Sequence, residues 1–478
     1  MTTTNKPSRG YLVFIATAAA LGGFLFGYDT AVISGTITMV KNQFALNVTM
    51  EGWFVSSALL GCIAGVAFAG ELSDRLGRKL ALLGSAALFL VSAIGCMLSE
   101  THSELILFRL LGGVGVGIAS MLSPLYISEV SPARIRGRMV ALYQFAITVG
   151  ILVAYFANAR LLNLHAAVDF QSSLLNHIIT EEVWRAMFGS EMIPALVFLI
   201  SLFFVPESPR WYALKDKREV ATNILARING RARGEKEMAA IMELSAREEK
   251  GNWKMLMKPG FRVAVIAGVI LAILSQFTGI NAIIYYGPRI MEQAGLQLSD
   301  ALGGQVIIGF VNVAATIFAI WKIDQFGRKK LMLGGITGMM LSLIVISVLF
   351  FFDFTEGYLI LAFILVFIAS FAIGYGPVIW VLLSEIYPAR VRGRAMSVAT
   401  LALWLGTAII GQVVPWLLDN ITPAGTFILF AAFCIPVPFI LKRLPETKGV
   451  SLEEIENHWK SMTPDQQSGQ EVAARETV

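Results

Sequence analysis

The sequence predicts an all-α membrane protein, with twelve transmembrane helices in two pseudo-symmetric six-helix bundles, and three observations carry that reading. Of the 478 residues, 56% are hydrophobic and 15% charged, and the mean hydropathy is +0.68, far too apolar for a water-soluble chain of this size. Apolar runs of about 20 residues, each enough to cross a hydrocarbon core of ~30 Å at ~1.5 Å per residue, can be read twelve times. The phrase SEVSPARIRGR at 128–138 returns as SEIYPARVRGR at 384–394, and SDRLGRK at 73–79 returns as IDQFGRK at 323–329 with nearly the same offset. Half of the chain therefore repeats the other half. Two related halves inside a membrane suit a device with one central cavity and two gates.

The spans fall near 11–36, 51–72, 80–98, 103–126, 138–161, 184–205, 261–292, 301–321, 331–352, 357–383, 395–418 and 425–442. The first run is long enough to cross and continues into polar residues, so it reads as its own insertion signal and not as a cleavable signal peptide. Between the sixth and seventh spans, 206–258 breaks the apolar pattern with a mixed-charge, helix-favouring stretch. The expected organisation is an N-terminal six-helix bundle (1–205), a cytoplasmic helical linker (206–258), a C-terminal six-helix bundle (259–442) and a cytoplasmic tail (443–478). From 460 the tail is polar without apolar periodicity, the composition of a disordered segment.

Orientation follows from the basic residues. Lys6 and Arg9, Arg75 to Lys79, Arg134 to Arg138, the 210–258 stretch, Arg328 to Lys330, Arg390 to Arg394, and Lys442 with Arg443 all fall on one side if both termini are cytoplasmic. The loops around 99–104, 162–183 and 353–356 are poor in them. The net charge of +5 is thus topogenic and does not point to nucleic acid. Cys62, Cys96 and Cys434 lie in apolar runs without metal or redox spacing, and His102, His165, His177 and His458 fall in loops or the tail. No cofactor or metal is expected, and no nucleophile–base set or phosphate loop suggests an enzyme.

Asp29, in FLFGYDTAVISG, lies in an apolar span, where an ionisable group costs ~2.5–3.5 kcal/mol on insertion scales. Counted at the helical rise, it lies about 27 Å along the first span; Arg109 lies roughly 9 Å down the fourth from the opposite face, and Glu191, in FGSEMIPA, about 10 Å down the sixth. The three share one layer. Arg keeps its proton, and two carboxylates near one cation cannot both be fully compensated, so a proton resides on one of them part of the time, as proton coupling requires. The same spacing also suits a structural ion pair that never titrates.

A second set is uncharged: Gln144, Gln276, Asn281, Asn312 and Trp380, each in an apolar helix. Amides donate and accept, which suits a neutral polyol exchanging its hydration for hydrogen bonds worth ~0.5–1.5 kcal/mol each, while an aromatic face covers its C–H surface. Singly, such amides also join neighbouring helices. Gly279 lies near Tyr285-Tyr286-Gly287-Pro288 in the seventh span, and Gly374, Gly376 and Pro377 interrupt the tenth; helices broken in this way can bend as gates.

GELSDRLGRK at 70–79, the two S-E-x-x-P-A-R-x-R-G-R copies, PESPRW at 206–211, QFTGINAIIYYGP at 276–288, GPVIWVLLSEIYP at 376–388 and PETKG at 445–449 together resemble the sugar porter family of the major facilitator superfamily, most closely its bacterial xylose–proton symporter type. The resemblance covers nearly the whole chain. It implies the major facilitator fold, a central monosaccharide site and alternating access by rocking of the bundles. On it Asp29 falls at the proton-linked acidic position of the first helix, with Arg109 and Glu191 as its partners, and Gln144, Gln276, Asn281, Asn312 and Trp380 fall at sugar-contacting positions. Two positions depart: Ser275 stands where the family commonly writes Gln before Gln276, and Leu403 precedes Trp404 where Gln or Asn is usual. Tyr285, Tyr286, Gly376 and Pro377 match gating positions. Glu129, Arg136, Glu207, Glu385 and Arg392, with Asp74, Arg78, Asp324 and Arg328 of the Asp-x-x-Gly-Arg-Lys loops, resemble the family's cytoplasmic salt-bridge latch; the alternative is that the cations only set topology and the acids only cap helices.

The expected function is import of a neutral monosaccharide, pentose or hexose, by proton symport, in a bacterial inner membrane and by a monomer. The rival readings are a facilitative uniporter of a sugar or a polyol such as inositol, and a sugar sensor built on a transporter body.

Overall fold

Each apolar run becomes a helix. The computed structural model describes residues 9–132, 135–165, 172–247, 256–257, 261–354, 356–387, 392–448, 450, 454–455 and 459. The expected disordered tail from 460 lies outside them. Among the described residues, twelve helices are long and apolar enough to cross a membrane: Gly10–Gly35, Val48–Leu76, Arg78–Leu98, His102–Val130, Arg136–Leu164, Val183–Phe203, Phe261–Gln293, Leu298–Ile323, Arg328–Phe351, Gly357–Ile386, Arg392–Asn420 and Thr422–Arg443. Most run a few residues beyond the apolar stretch, because polar first and last turns complete them. His102, expected in a loop, opens the fourth helix behind a capping box formed by Thr101 and Glu104.

Local chemistry sets the helix ends. Asn47 caps the second span by accepting from the Met50 N–H at 2.9 Å. Gly77 and Gly327, at φ 98° and 85°, turn the second span into the third and the eighth into the ninth, a conformation that costs other residues a Cβ clash. These are the glycines of the two copies of the Asp-x-x-Gly-Arg-Lys phrase, so the repeat in sequence is a repeat in backbone.

Among the described residues four spans are broken: the twelfth stops at Cys434 and restarts at Pro436, and each of the other three breaks has a visible reason. In the sixth, the helix stops at Gly189 and restarts at Met192. Pro194 has no N–H to give the Ser190 carbonyl four residues back, which accepts instead from Ile193 at 3.3 Å. In the seventh, Gly279 at φ 89° separates Phe261–Phe277 from Ile280–Gln293. In the tenth, a π-helical segment, Phe371–Tyr375, precedes Gly376-Pro377; Pro377 likewise cannot donate to Ile373.

The linker is helical over Pro209–Leu214, Arg218–Asn229 and Arg231–Arg247. Its helices pack on Ala213, Ala221, Leu225 and Met238, and the Arg227 guanidinium lies 4.0 Å from the centre of the Tyr11 ring at the start of the first span.

The chain packs as two compact units. One takes Met1–Glu248 with Ala282–Val313 and Gly411–Trp416; the other takes Glu249–Asn281, Ala314–Ile410 and Leu417–Val478. The first unit thus holds six whole spans, the seventh from Ala282 on, the eighth as far as Val313 and a short piece of the eleventh. Inside it the second and fourth spans approach backbone to backbone. A Cβ at Gly61 or Gly65 would strike the carbonyl of Leu110 or Val114, and one at Gly113 or Gly117 that of Ala58 or Cys62. The end of this unit carrying the 99–101 turn is called the far end below, and the end carrying Gly10 the near end.

Candidate functional site

The close second–fourth contact brings Arg109 against the second span and across to the first. Asp29, Arg109 and Glu191 are 6%, 3% and 2% exposed. Arg109 Nη1 lies 3.9 Å from Asp29 Oδ1, and its Nε donates to the Phe54 carbonyl at 3.1 Å. The guanidinium sits 5.5 Å from the ring centres of both Phe54 and Phe188, so aromatic faces replace water around it. The depth count therefore placed Asp29 and Arg109 correctly in one layer. Glu191, at the break in the sixth span, is buried with no hydrogen bond to Oε1. The one cation thus pairs with Asp29, and Glu191 lies buried within its field but beyond ion-pair distance.

The uncharged set divides between the units. In the second, Gln276 is the centre: its Oε1 accepts from Asn281 Nδ2 at 2.6 Å and from Thr407 Oγ1 at 3.1 Å, and its Nε2 donates to Ser275 Oγ at 2.8 Å. Asn281 comes from beyond the Gly279 break, and Thr407 lies one helical turn past Leu403 on the eleventh span. Trp380, in the same unit, is half-buried. Sequence reading missed Thr407; the signal was its i+4 spacing from Leu403, which puts its hydroxyl on the face where the family pattern has an amide.

In the first unit, Gln144 is half-buried and Asn312 is buried. Tyr285 is buried, and Tyr286 donates to the Gly411 carbonyl at 2.7 Å. Tyr155 donates to the Ile284 carbonyl at 3.1 Å. Glu51, fully buried in the first turn of the second span, bonds Arg289 of the seventh span and lies 2.8 Å from Lys41 Nζ. Thr38 donates to Glu292 at 3.1 Å, and Ser56 to Gln412 at 2.8 Å. None of these far-end ties was expected from sequence.

The residues expected in the latch build two matching networks, one in each unit. Arg78 grips Glu129 through Nε and Nη2 at 3.0 and 3.1 Å, and Arg328 grips Glu385 at 3.0 and 2.9 Å. Ser208 donates to Glu129, and Thr447 to Glu385, at 2.5 Å each. Glu207 accepts from the backbone N–H of Arg78 at 2.9 Å and of Lys79 at 3.1 Å, and Glu446 does the same for Arg328 and Lys329. Both acids therefore cap helix starts. Burial pushes the Glu207 carboxyl above the ordinary glutamate range, against the pull of the backbone N–H groups of Ser208, Lys79 and Arg78. Asp74 lies 3.3 Å from Arg78, Arg136 is exposed, and Arg392 donates to its neighbouring Tyr387 carbonyl at 3.4 Å. The side chain of Asp324 lies outside the described residues. Ser208, Thr447 and Glu446 were missed, although PES at 206–208 and PET at 445–447 are a third repeated phrase.

Twelve spans, an internal repeat, broken helices and a buried charge cluster define a membrane transporter of the major facilitator superfamily. Comparison with known proteins is specific. Residues 15–459 match the family described as sugar (and other) transporter, and the chain belongs to that family. It is 41% identical over 457 residues to the arabinose-proton symporter of Bacillus subtilis, covering 95% of this chain and 97% of that one. It is 37% identical over 490 residues to the D-xylose-proton symporter of Escherichia coli, covering 95% and 97%. Among solved structures, the partially occluded inward open xylose transporter XylE from E. coli matches with a TM-score of 0.80 and 36% identity over 92% of this chain and all of that one. The proton:xylose symporter XylE bound to 6-bromo-6-deoxy-D-glucose matches at 0.79 and 37%, over 94% and 99%.

Proposed function

We propose that this protein imports a neutral monosaccharide, pentose or hexose, together with a proton, by alternating access. The single observation that carries the reading is the buried Asp29–Arg109–Glu191 cluster, one guanidinium beside two acids of which one has an oxygen without a hydrogen bond. With both acids ionised the cluster would hold an uncompensated charge away from water, so it takes up a proton readily. Protonation of Asp29 releases Arg109 toward Glu191. That exchange ties the proton to a change in helix contacts. The relatives are themselves named as proton symporters of arabinose and xylose, which supports coupling over facilitated diffusion.

The residues expected to meet the sugar are Gln144, Gln276, Asn281, Asn312, Trp380 and Ser275. Binding favours the arrangement that offers more of them, since a ligand shifts an equilibrium only by such a difference. Tyr285 and Tyr286, beyond the Gly279 hinge, close the far end, which faces outward when both termini are cytoplasmic; Gly376 and Pro377 supply the second hinge. Glu129 with Arg78 and Glu385 with Arg328 each fasten the cytoplasmic side of their own half. The two repeats, 1–205 and 259–442, are the moving bodies, joined by the linker, in a monomer of a bacterial inner membrane. Ser275 and Leu403, each lacking an amide, set a sugar preference distinct from a family member with Gln at both places. An inward proton gains about 2.3 kcal/mol per 100 mV, enough to concentrate a neutral sugar about fifty-fold.

The test is purified protein in liposomes with labelled pentoses, hexoses and inositol, with and without an inward proton gradient. Accumulation of one sugar only when the gradient is imposed is expected, with Asp29→Asn abolishing accumulation while exchange of labelled for unlabelled sugar continues. Equilibration that ignores the gradient would make the protein a facilitator.

A further inference from the structure

Glu191 stands where the hydrogen-bond ladder of its helix is interrupted: the Ser190 N–H still reaches the Ala186 carbonyl at 2.9 Å and the Glu191 carbonyl still accepts from Ala195 at 3.1 Å, but the bonds between them shorten to i→i−3. The missing Pro194 N–H leaves Ser190 and Glu191 as a joint between two helical pieces, with Glu191 N–H reaching only back to Phe188 at 3.2 Å. A joint of this kind does not by itself hold a carboxylate at one distance from its neighbours. One side-chain bond crosses from the joint to the first span: Tyr28 Oη lies 2.7 Å from Ser190 Oγ. Its direction is settled by the second bond of the same serine, whose hydroxyl proton goes to the Met187 carbonyl at 2.5 Å. Tyr28 therefore donates, and Ser190 accepts.

The two bonded residues are the immediate chain neighbours of the two acids, Tyr28 of Asp29 and Ser190 of Glu191. The first span itself is held on its other side, where a Cβ at Gly27 would strike the Ile147 carbonyl and where Asn158 donates to the Val32 carbonyl at 2.9 Å. Tyr28 is thus anchored to a fixed helix, and the joint in the sixth span is the part free to move.

We infer that Tyr28, through Ser190, is a positioning residue that sets the separation of Asp29 and Glu191 and so the way the pair shares Arg109 and a proton. The inference rests on the proton-symport reading above and names a component that reading lacks. Around the pair, the titratable and charged groups are Cys62 of the second span, Cys96 of the third, Arg109 of the fourth and Tyr285 of the seventh. None of these groups touches the Tyr28–Ser190 bond.

The experiment compares wild type, Tyr28→Phe, Ser190→Ala, Ser190→Thr and the Tyr28→Phe/Ser190→Ala double variant in liposomes, using labelled L-arabinose and D-xylose. Two readouts are taken: gradient-driven accumulation, and the pH at which sugar exchange is half-maximal. Tyr28→Phe and Ser190→Ala are each expected to lower accumulation several-fold and to move the exchange midpoint by half a pH unit or more. The double variant should match the single ones, since they cut the same bond, and Ser190→Thr, which keeps the hydroxyl, should restore the wild-type midpoint. A role in packing alone would scale the rate at every pH without moving the midpoint, and that result, or additive effects in the double variant, would overturn the inference. If wild type itself shows no gradient-driven accumulation of either sugar, nor of the wider panel, the symport reading fails first. If wild type accumulates and the variants accumulate equally, only the positioning role fails.

Discussion

Glu129 and Glu385 each grip one arginine through two parallel hydrogen bonds and accept a third from a hydroxyl, Ser208 in one half and Thr447 in the other. Glu51 instead sits between two cations brought from distant parts of the chain, Lys41 and Arg289. The first arrangement exists twice because it lies within a repeat; each copy is completed by its own half. Among the described residues the second exists once, and it joins the start of the second span and the short helix before it, Ile37–Gln43, to the seventh span beyond its Gly279 break. What the two halves share is the fastening of loops to helix starts. What they do not share is the ionic tie at the far end, and a tie made by only one pairing of helices can be opened without disturbing either repeat.

Removing the acid at the centre of the single tie is the severest test of that contrast. Glu51→Gln removes the carboxylate that stands between Arg289 and Lys41, and breaking a buried pair in this way typically costs about 3–5 kcal/mol. A large drop in the thermal midpoint in detergent is expected, with partial recovery in Glu51→Gln/Arg289→Gln; if the double variant is no better than the single one, the tie is not what holds Glu51. The duplicated networks should respond less, and unequally. The Glu129 side chain is 3% exposed and that of Glu385 25%, so Glu129→Gln is expected to lose about 3 kcal/mol and Glu385→Gln about 1–2 kcal/mol, measured on the same scale. Equal losses would mean that burial does not distinguish the copies. The smallest effect belongs to Thr447→Ala, which deletes one hydrogen bond to a carboxylate, about 1.5 kcal/mol; Ser208→Ala deletes the matching bond and also the cap that Ser208 Oγ gives the Trp211 N–H, so it should cost about 1 kcal/mol more, and equal losses would mean that the cap contributes nothing.

The contrast also explains what could be read from the chain beforehand. The spans were legible because bilayer thickness imposes a length on every apolar run, and Asp29 with Arg109 because helical rise converts position into depth. The paired networks were legible in outline, since both arginines and both acids lie in repeated phrases; Glu446 was overlooked although PET copies PES. Glu51 was hidden for a different reason. An acid in the first turn of a helix is ordinarily accounted for by the helix dipole, and nothing in the sequence ties it to Arg289 more than two hundred residues on. Thr407 was hidden because a hydroxyl in a membrane helix ordinarily bonds its own backbone, and here the Leu403 carbonyl at 2.9 Å competes with Gln276 for its single proton.

Gln276 carries a consequence for the half of the cycle in which nothing is carried. A symporter that has delivered its sugar must come back empty, and a cavity lined with unbonded amides would resist closing around itself. Here Asn281, Thr407 and Ser275 already occupy the Gln276 amide. If Gln276 contacts the sugar as proposed, sugar hydroxyls displace bonds and do not fill vacancies, so affinity is moderated and the vacant return is eased by the same three contacts. Turnover, and not tight capture, is what this lining favours.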